Sequence, residues 1–224
     1  MINFITNYSG VQLLVVSIAY LIAIVFAITI HEYSHSLIAL TQGDYTSKYY
    51  GRLTLNPLKH IDPIGFICLI LFGFGWAKPV PINSVKFKNY KKGLFLTSLA
   101  GICANLIFSF LFMGILVLAF PTTSLVTIFS SSSYLLQFLY LLLYFSASIN
   151  LGLAIFNLIP IPPLDGFNCI LSFTKGTNKF INFIKQYGFI ILLILLITNV
   201  IDILFAYLYG LILPAFANFW YFIF

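Results

Sequence analysis

At 224 residues, 61% hydrophobic and 7% charged, the chain is far from a soluble domain, in which about a quarter of residues carry charge. It reads as an all-α polytopic membrane protein, one intramembrane domain over residues 1–224, too short to carry a sizeable soluble domain as well. The net charge of +6 does not indicate nucleic acid: eight of the eleven Lys and Arg fall between Lys48 and Lys92, three between Lys175 and Lys185, and no recognition fold accompanies them.

A bilayer core of about 30 Å needs roughly 20 apolar residues per crossing. The first apolar stretch, residues 11–41, exceeds that, so residues near its C-terminal end sit below the membrane surface. Residues 63–77 are apolar but short, and they hold Gly65, Gly73 and Gly75. Basic residues flank both ends, so this piece is expected to dip in and return. Full crossings are expected over residues 94–120 and 134–158. A proline-rich break then leads into a short segment at 164–173, and a last crossing covers 189–213. The expectation is about four full transmembrane helices plus one re-entrant piece, with a catalytic core at about 11–174 and a C-terminal segment at about 187–213. Every basic residue then falls on one side, which the positive-inside rule makes cytoplasmic. The uncharged 121–133 loop falls on the other. Two loop pieces, 51–57 and 76–83, read as extended chain because prolines interrupt helix in them. An extended peptide can pair with such an edge. No cleavable signal peptide is expected, and the location expected is a bacterial inner membrane.

The first stretch carries His31-Glu32-Tyr33-Ser34-His35. On a helix the two histidines lie one turn apart on one face. That spacing suits two imidazoles on one Zn²⁺, with Glu32 placed to act on water. Ionisable groups inside a bilayer cost roughly 2.5–3.5 kcal/mol each on insertion scales. Glu32 is the only glutamate and His60 the only other histidine, so the motif does not arise from an abundance of these residues. A catalytic zinc takes three protein ligands and leaves one position open. The remaining acids are Asp44, Asp62, Asp165 and Asp202. Asp165 stands out because it follows Pro160, Pro162 and Pro163 at the start of a new short helix. A plain first-turn or N-cap role would explain it equally well. The topology puts it on the same side of the bilayer as the histidine pair.

HEYSH from His31, NLIPIPPLDG from Asn157, GRLTLNPLKHIDPIG from Gly51 and GWAKPVPIN from Gly75 together resemble the site-2 protease family of intramembrane zinc metalloproteases. AGICAN from Ala100 is similar to a further family stretch, with Ile102 where proline is common. The likeness covers roughly residues 20–170 and includes no PDZ or CBS domain. It implies that His31, His35 and Asp165 bind one zinc, that Glu32 is the general base, and that Asn157 lies near the scissile carbonyl. The implied substrate is a transmembrane protein or peptide that unwinds near the cytoplasmic face, with the lipid bilayer as the other partner.

Other polar residues read more plainly. His60 is expected to be an interfacial polar residue, and Tyr33 and Ser34 to pack. Gly101 suggests close helix packing, while Asn105 is a helix–helix contact or a site residue. Asp202, near Asn199, pairs with a cation or faces a cavity. Cys68, Cys103 and Cys169 are expected to be small buried residues. Two rival functions remain at this stage: a catalytically silent membrane scaffold of the same fold, and a divalent-metal transporter. The sequence does not fix the oligomeric state.

Overall fold

A computed structural model of the chain describes residues 10–72, 75–131, 133–174 and 178–224. Gly73 and Lys175, named above, lie outside the described residues, as do residues 1–9. The described residues form nine α-helices. They are α1 (Gly10–Thr41), α2 (Thr46–Tyr49), α3 (Pro63–Phe72), α4 (Tyr90–Ala119), α5 (Leu125–Phe129), α6 (Tyr134–Leu158), α7 (Asp165–Phe173), α8 (Lys179–Ile197) and α9 (Val200–Ile223).

Three long helices, α1, α4 and α6, pack on one another and make the core. Their contact faces follow from small residues at helical spacing. On α1, Val16, Ala19, Ala23 and Ala27 are fully buried, and the same face continues through His31, His35 and Ala39. Small side chains let helices approach closely where lipid offers no hydrophobic drive. The α1 stripe meets Leu141 and Phe145 of α6. On α4 the buried stripe runs Gly93, Thr97, Gly101, Asn105, Ser109, Met113 and Val117, one residue per turn. Ser109 Oγ donates to Ala147 O on α6 at 2.7 Å.

The helix ends have local causes. Gly43 ends α1 in the left-handed region (φ 102°), with the Asp44 amide bonded back to Ala39 O, so the chain turns sharply into the basic loop. Asn89 caps α4 by accepting from the Lys92 amide. The run of prolines after Leu158 ends α6, and α7 begins at Asp165.

The short apolar piece returns as expected. Among the described residues of this piece ten, Pro63–Phe72, are helical, and an isolated antiparallel bridge joins Ile61 to Ala77 across its base. The Lys78 amide donates to His60 O there. Entry and exit are therefore neighbours on one side.

The last crossing differs from its expected form. Residues 189–213 are not one helix; Thr198 and Asn199 interrupt them, and Asn199 adopts φ 57°. Five helices are consequently long and apolar enough to cross a membrane: α1, α4, α6, α8 and α9. Contacts separate the last two. Leu192 of α8 and Ile201 of α9 both pack on Ile159 and Leu164, at the end of α6 nearest the basic loops. From there α9 climbs along α4, where Trp220 Nε1 donates to Phe110 O and Tyr221 reaches Pro121 O at the opposite end. Helix α9 traverses the bundle, whereas α8 ends on the basic side, the side on which Phe173 of the preceding helix packs on Phe95 near the start of α4.

Candidate metal centre

The inward stripe of α1 carries His31 and His35 into the bundle, where both are buried. Their rings stand nearly perpendicular, with centroids 4.5 Å apart. The prolines that end α6 turn the chain back so that Asp165, in the first turn of α7, faces them. Gly166 permits this: a Cβ there would lie 2.3 Å from Leu158 O. Asp165 Oδ2 lies 3.1 Å from His31 Nε2 and 3.1 Å from His35 Nε2, and the two Nε2 atoms are 3.0 Å apart. Residues 31, 35 and 165, singled out from sequence, come together as one group that can hold a metal ion.

Hydrogen bonding supports that fit. His35 Nδ1 faces Thr97 O at 2.7 Å, and a carbonyl only accepts, so the proton of a neutral ring sits on Nδ1. Asn105 Nδ2 donates to Ala27 O at 3.1 Å, which orients the amide so that Oδ1 accepts from His31 Nδ1 at 2.6 Å. Both neutral rings then present bare Nε2 lone pairs to a carboxylate oxygen. Asp165 Oδ2 is buried and receives no hydrogen bond among the described residues. Three acceptors at 3.0–3.1 Å with no proton between them call for a cation. Their spacing is close to the edge, about 3.3 Å, of a tetrahedron with roughly 2 Å bonds, as around zinc.

The group opens into a cavity of about 360 Å³ that Glu32, Asn157, Val80 and Phe87 also line. Glu32 is buried, and its Oε2 accepts from the Val80 amide at 2.8 Å. Asn157 Nδ2 donates to Leu153 O at 3.0 Å. The extended 76–83 piece crosses the cavity as a strap, fastened by polar residues of the preceding loop. Arg52 Nη2 donates to Lys78 O at 2.5 Å and to Pro79 O at 3.3 Å, and Ser47 Oγ donates to Pro81 O at 2.8 Å. The Asn83 amide donates to Asp44 Oδ2 at 2.6 Å. Burial would raise the Asp44 pKa, but hydrogen bonds from Thr46 and the Asn83 amide, with Lys86 nearby, hold it below the usual carboxylate range.

Several residues sit differently from their sequence reading. His60 is fully buried, and its Nε2 donates to Thr54 O at 2.8 Å, tying the loop at the base of α3. Asn105 is both a helix contact and the hydrogen-bond partner of His31. Asp202 is exposed and enters no ion pair among the described residues. Cys103 is exposed, and Cys68 and Cys169 are only half-buried, since apolar residues at a lipid-facing surface need no protein cover. The roles of Val80 and Arg52 had no sequence signal, because Val80 acts through its own main-chain amide and the Arg52 guanidinium through the main-chain carbonyls of Lys78 and Pro79.

Fold and site together define a multi-pass integral membrane protein with a two-histidine, one-carboxylate centre beside a glutamate, the arrangement of a membrane metalloprotease. The model of peptidase family M50 matches residues 120–196. A Bacillus subtilis (strain 168) protein named as a zinc metalloprotease, YwhC, is 39% identical over 178 residues, 79% of this chain and 79% of its own. A Mycolicibacterium smegmatis relative named as zinc metalloprotease Rip2 is 29% identical over 202 residues, covering 88% of this chain and 71% of its own. A Methanocaldococcus jannaschii relative named as zinc metalloprotease MJ0611 is 31% identical over 168 residues, 74% of this chain and 75% of its own. No solved structure matches at a significant level. The chain belongs to peptidase family M50, the site-2 protease family. It is a membrane zinc metalloendopeptidase.

Proposed function

We propose that the enzyme hydrolyses a peptide bond in or near the transmembrane segment of a membrane-anchored protein, toward the cytoplasmic face, as in regulated intramembrane proteolysis. The observation that carries this reading is the meeting of His31, His35 and Asp165 beside Glu32 in one open cavity below the end of α1. In it, His31 Nε2, His35 Nε2 and Asp165 hold one zinc per chain, a donor set that suits this metal. When bound, the ion lowers the pKa of a water toward 7 and polarises the scissile carbonyl.

The chain's own groups do the rest. Glu32 takes the proton of the attacking water and delivers it to the leaving nitrogen. The Val80 amide occupies Oε2 and leaves Oε1 for that transfer. Asn157 spends one N–H on Leu153 O and has a second for the developing oxyanion. A helical substrate hides its carbonyls in its own ladder, so it must unwind to be cut. The 76–83 strap is an extended edge against which the unwound segment can lie. The partners are thus a transmembrane substrate and the bilayer, in a bacterial inner membrane.

Metal content and cleavage of a single-span reporter test the reading together. Wild type is expected to carry about one zinc per chain and to cut the reporter. Asp165→Ala should lose the zinc, and Glu32→Gln should keep it while losing cleavage. Cleavage by Glu32→Gln at the wild-type rate would remove Glu32 from the reaction.

A further inference from the structure

We propose that one stripe of α4, Thr97–Gly101–Asn105, backed by Asn150 of α6, forms a preset cradle for both imidazoles and thereby sets the metal affinity. This rests on the reading of His31, His35 and Asp165 as zinc ligands. The three α4 positions are four residues apart, so they face α1 one above another. The lowest supplies Thr97 O to His35 Nδ1 and the highest supplies Asn105 Oδ1 to His31 Nδ1. Between them, Gly101 leaves the space the rings occupy. A Cβ there would lie 2.5 Å from His31 Cε1 and 2.7 Å from His35 Nε2. No side chain larger than hydrogen fits without moving both ligands.

Asn105 is itself held from behind. Its Nδ2 donates to Asn150 Oδ1 at 2.7 Å as well as to Ala27 O, and Asn150 Nδ2 donates to Ser146 O at 2.8 Å. Both asparagines are fully buried. Carbonyl acceptors at Ala27 and Ser146 fix each amide one way round, so the chain of donors runs in one direction and ends with Oδ1 facing His31. Neither asparagine can turn without leaving buried partners unpaired, at about 1–3 kcal/mol each. The cradle therefore holds the Nδ1–H tautomer and keeps both Nε2 atoms aimed at Asp165. Partners that orient a ligating histidine in this way are worth about 10–100-fold in metal affinity. Asn105 and Asn150 are positioning residues in this scheme and touch no reacting atom.

The test is the zinc affinity of the full chain purified in detergent, measured by chelator competition and scaled to folded molecules. A purely structural role for Asn105 would lower the folded fraction and leave that affinity unchanged. Asn105→Leu should bind zinc about 10–100-fold more weakly. Gly101→Ala should lose at least as much, while Gly210→Ala, where a Cβ would meet nothing within 4 Å, should bind as wild type does. Asn105→Leu within about two-fold of wild type, well short of the expected range, overturns the cradle. If Asn105→Leu does not fold, Gly101→Ala decides, and undiminished affinity there overturns it. His31→Ala serves as the reference. Wild-type affinity in His31→Ala removes the ligand reading and the cradle with it. Loss in His31→Ala beside wild-type affinity in Asn105→Leu removes the cradle alone.

Discussion

Glu32 is steadied by a single main-chain donor, the Val80 amide at 2.8 Å, in a pocket where it is itself buried. Proline at that position would remove the N–H and leave a buried carboxylate oxygen short of its partner, at about 1–3 kcal/mol. Val80→Pro is expected to lower reporter cleavage about ten-fold or more with zinc content unchanged. Val80→Ala keeps the amide and should cleave nearly as wild type does. Equal activity in the two variants would show that the amide does nothing for Glu32. At this scale the sequence was informative wherever chemistry sits on a side chain of a rare type. His31, Glu32, His35 and Asp165 were legible because the chain has few other histidines or acids and the proline run marks Asp165. The partners of those residues were not legible. Val80 acts through its backbone, Thr97 through its carbonyl, and Gly101 through what it lacks. Asn105 was visible as a polar residue in an apolar helix, but its contact with His31 spans 74 positions and exists only after α1 and α4 pack.

The strap over residues 76–83 shows how an element without regular structure is fixed by charge. Prolines exclude helix from it, which the sequence reveals, but its course over the cavity depends on Arg52, Ser47 and Asp44 from another loop. Asp44 has its folded pKa below the unfolded value of about 3.9, so its anchoring is fully present above that pH. The anchoring is lost as pH falls through the lowered value. Hydrogen exchange of the 82–88 amides, corrected for intrinsic rates, should show constant protection from neutral pH down to about pH 4 and a decline below it. Asp44→Asn should lower that protection at neutral pH by about 1.5–3 kcal/mol and abolish the acid step, since the acceptor loses its charge. Equal protection in the variant at every pH would release Asp44 from this role. The break between α8 and α9 was less legible than the strap. Asn is the residue other than glycine that most readily enters the left-handed region, yet it lies within an almost unbroken apolar run. Hydropathy alone joins what a single Asn199 separates.

Across the whole molecule, one arrangement satisfies three separate constraints. The basic loops, the base of the re-entrant α3 and the proline turn before Asp165 all lie at the same end of the α1–α4–α6 core, and the uncharged 121–133 loop lies at the other. A site near the basic end leaves water a short path to a reaction that consumes it. The gathering of the basic loops at one end was legible in the charge distribution. The four crossings expected from the sequence are those that contacts carry through the bundle, although five helices qualify by length and composition. Cysteine labelling in intact cells, with Cys68, Cys103 and Cys169 replaced, separates these cases. Val126 is 79% exposed in the outer loop, Val85 is 87% exposed among the basic residues, and Phe222 is 90% exposed at the far end of α9. An impermeant thiol reagent added outside should label Val126→Cys and Phe222→Cys, and should reach Val85→Cys only after the membrane is opened. Outside labelling of Val85→Cys instead of Val126→Cys would invert the molecule and move the site to the outer face. Protection of Phe222→Cys beside a labelled Val126→Cys would make α8 a fifth crossing. Phe173, six positions before α8 begins, packs on Phe95 near the basic start of α4, and Leu192 toward the other end of α8 packs at the basic end of α6; this argues against that outcome, since a crossing helix would separate its two ends by the thickness of the bilayer.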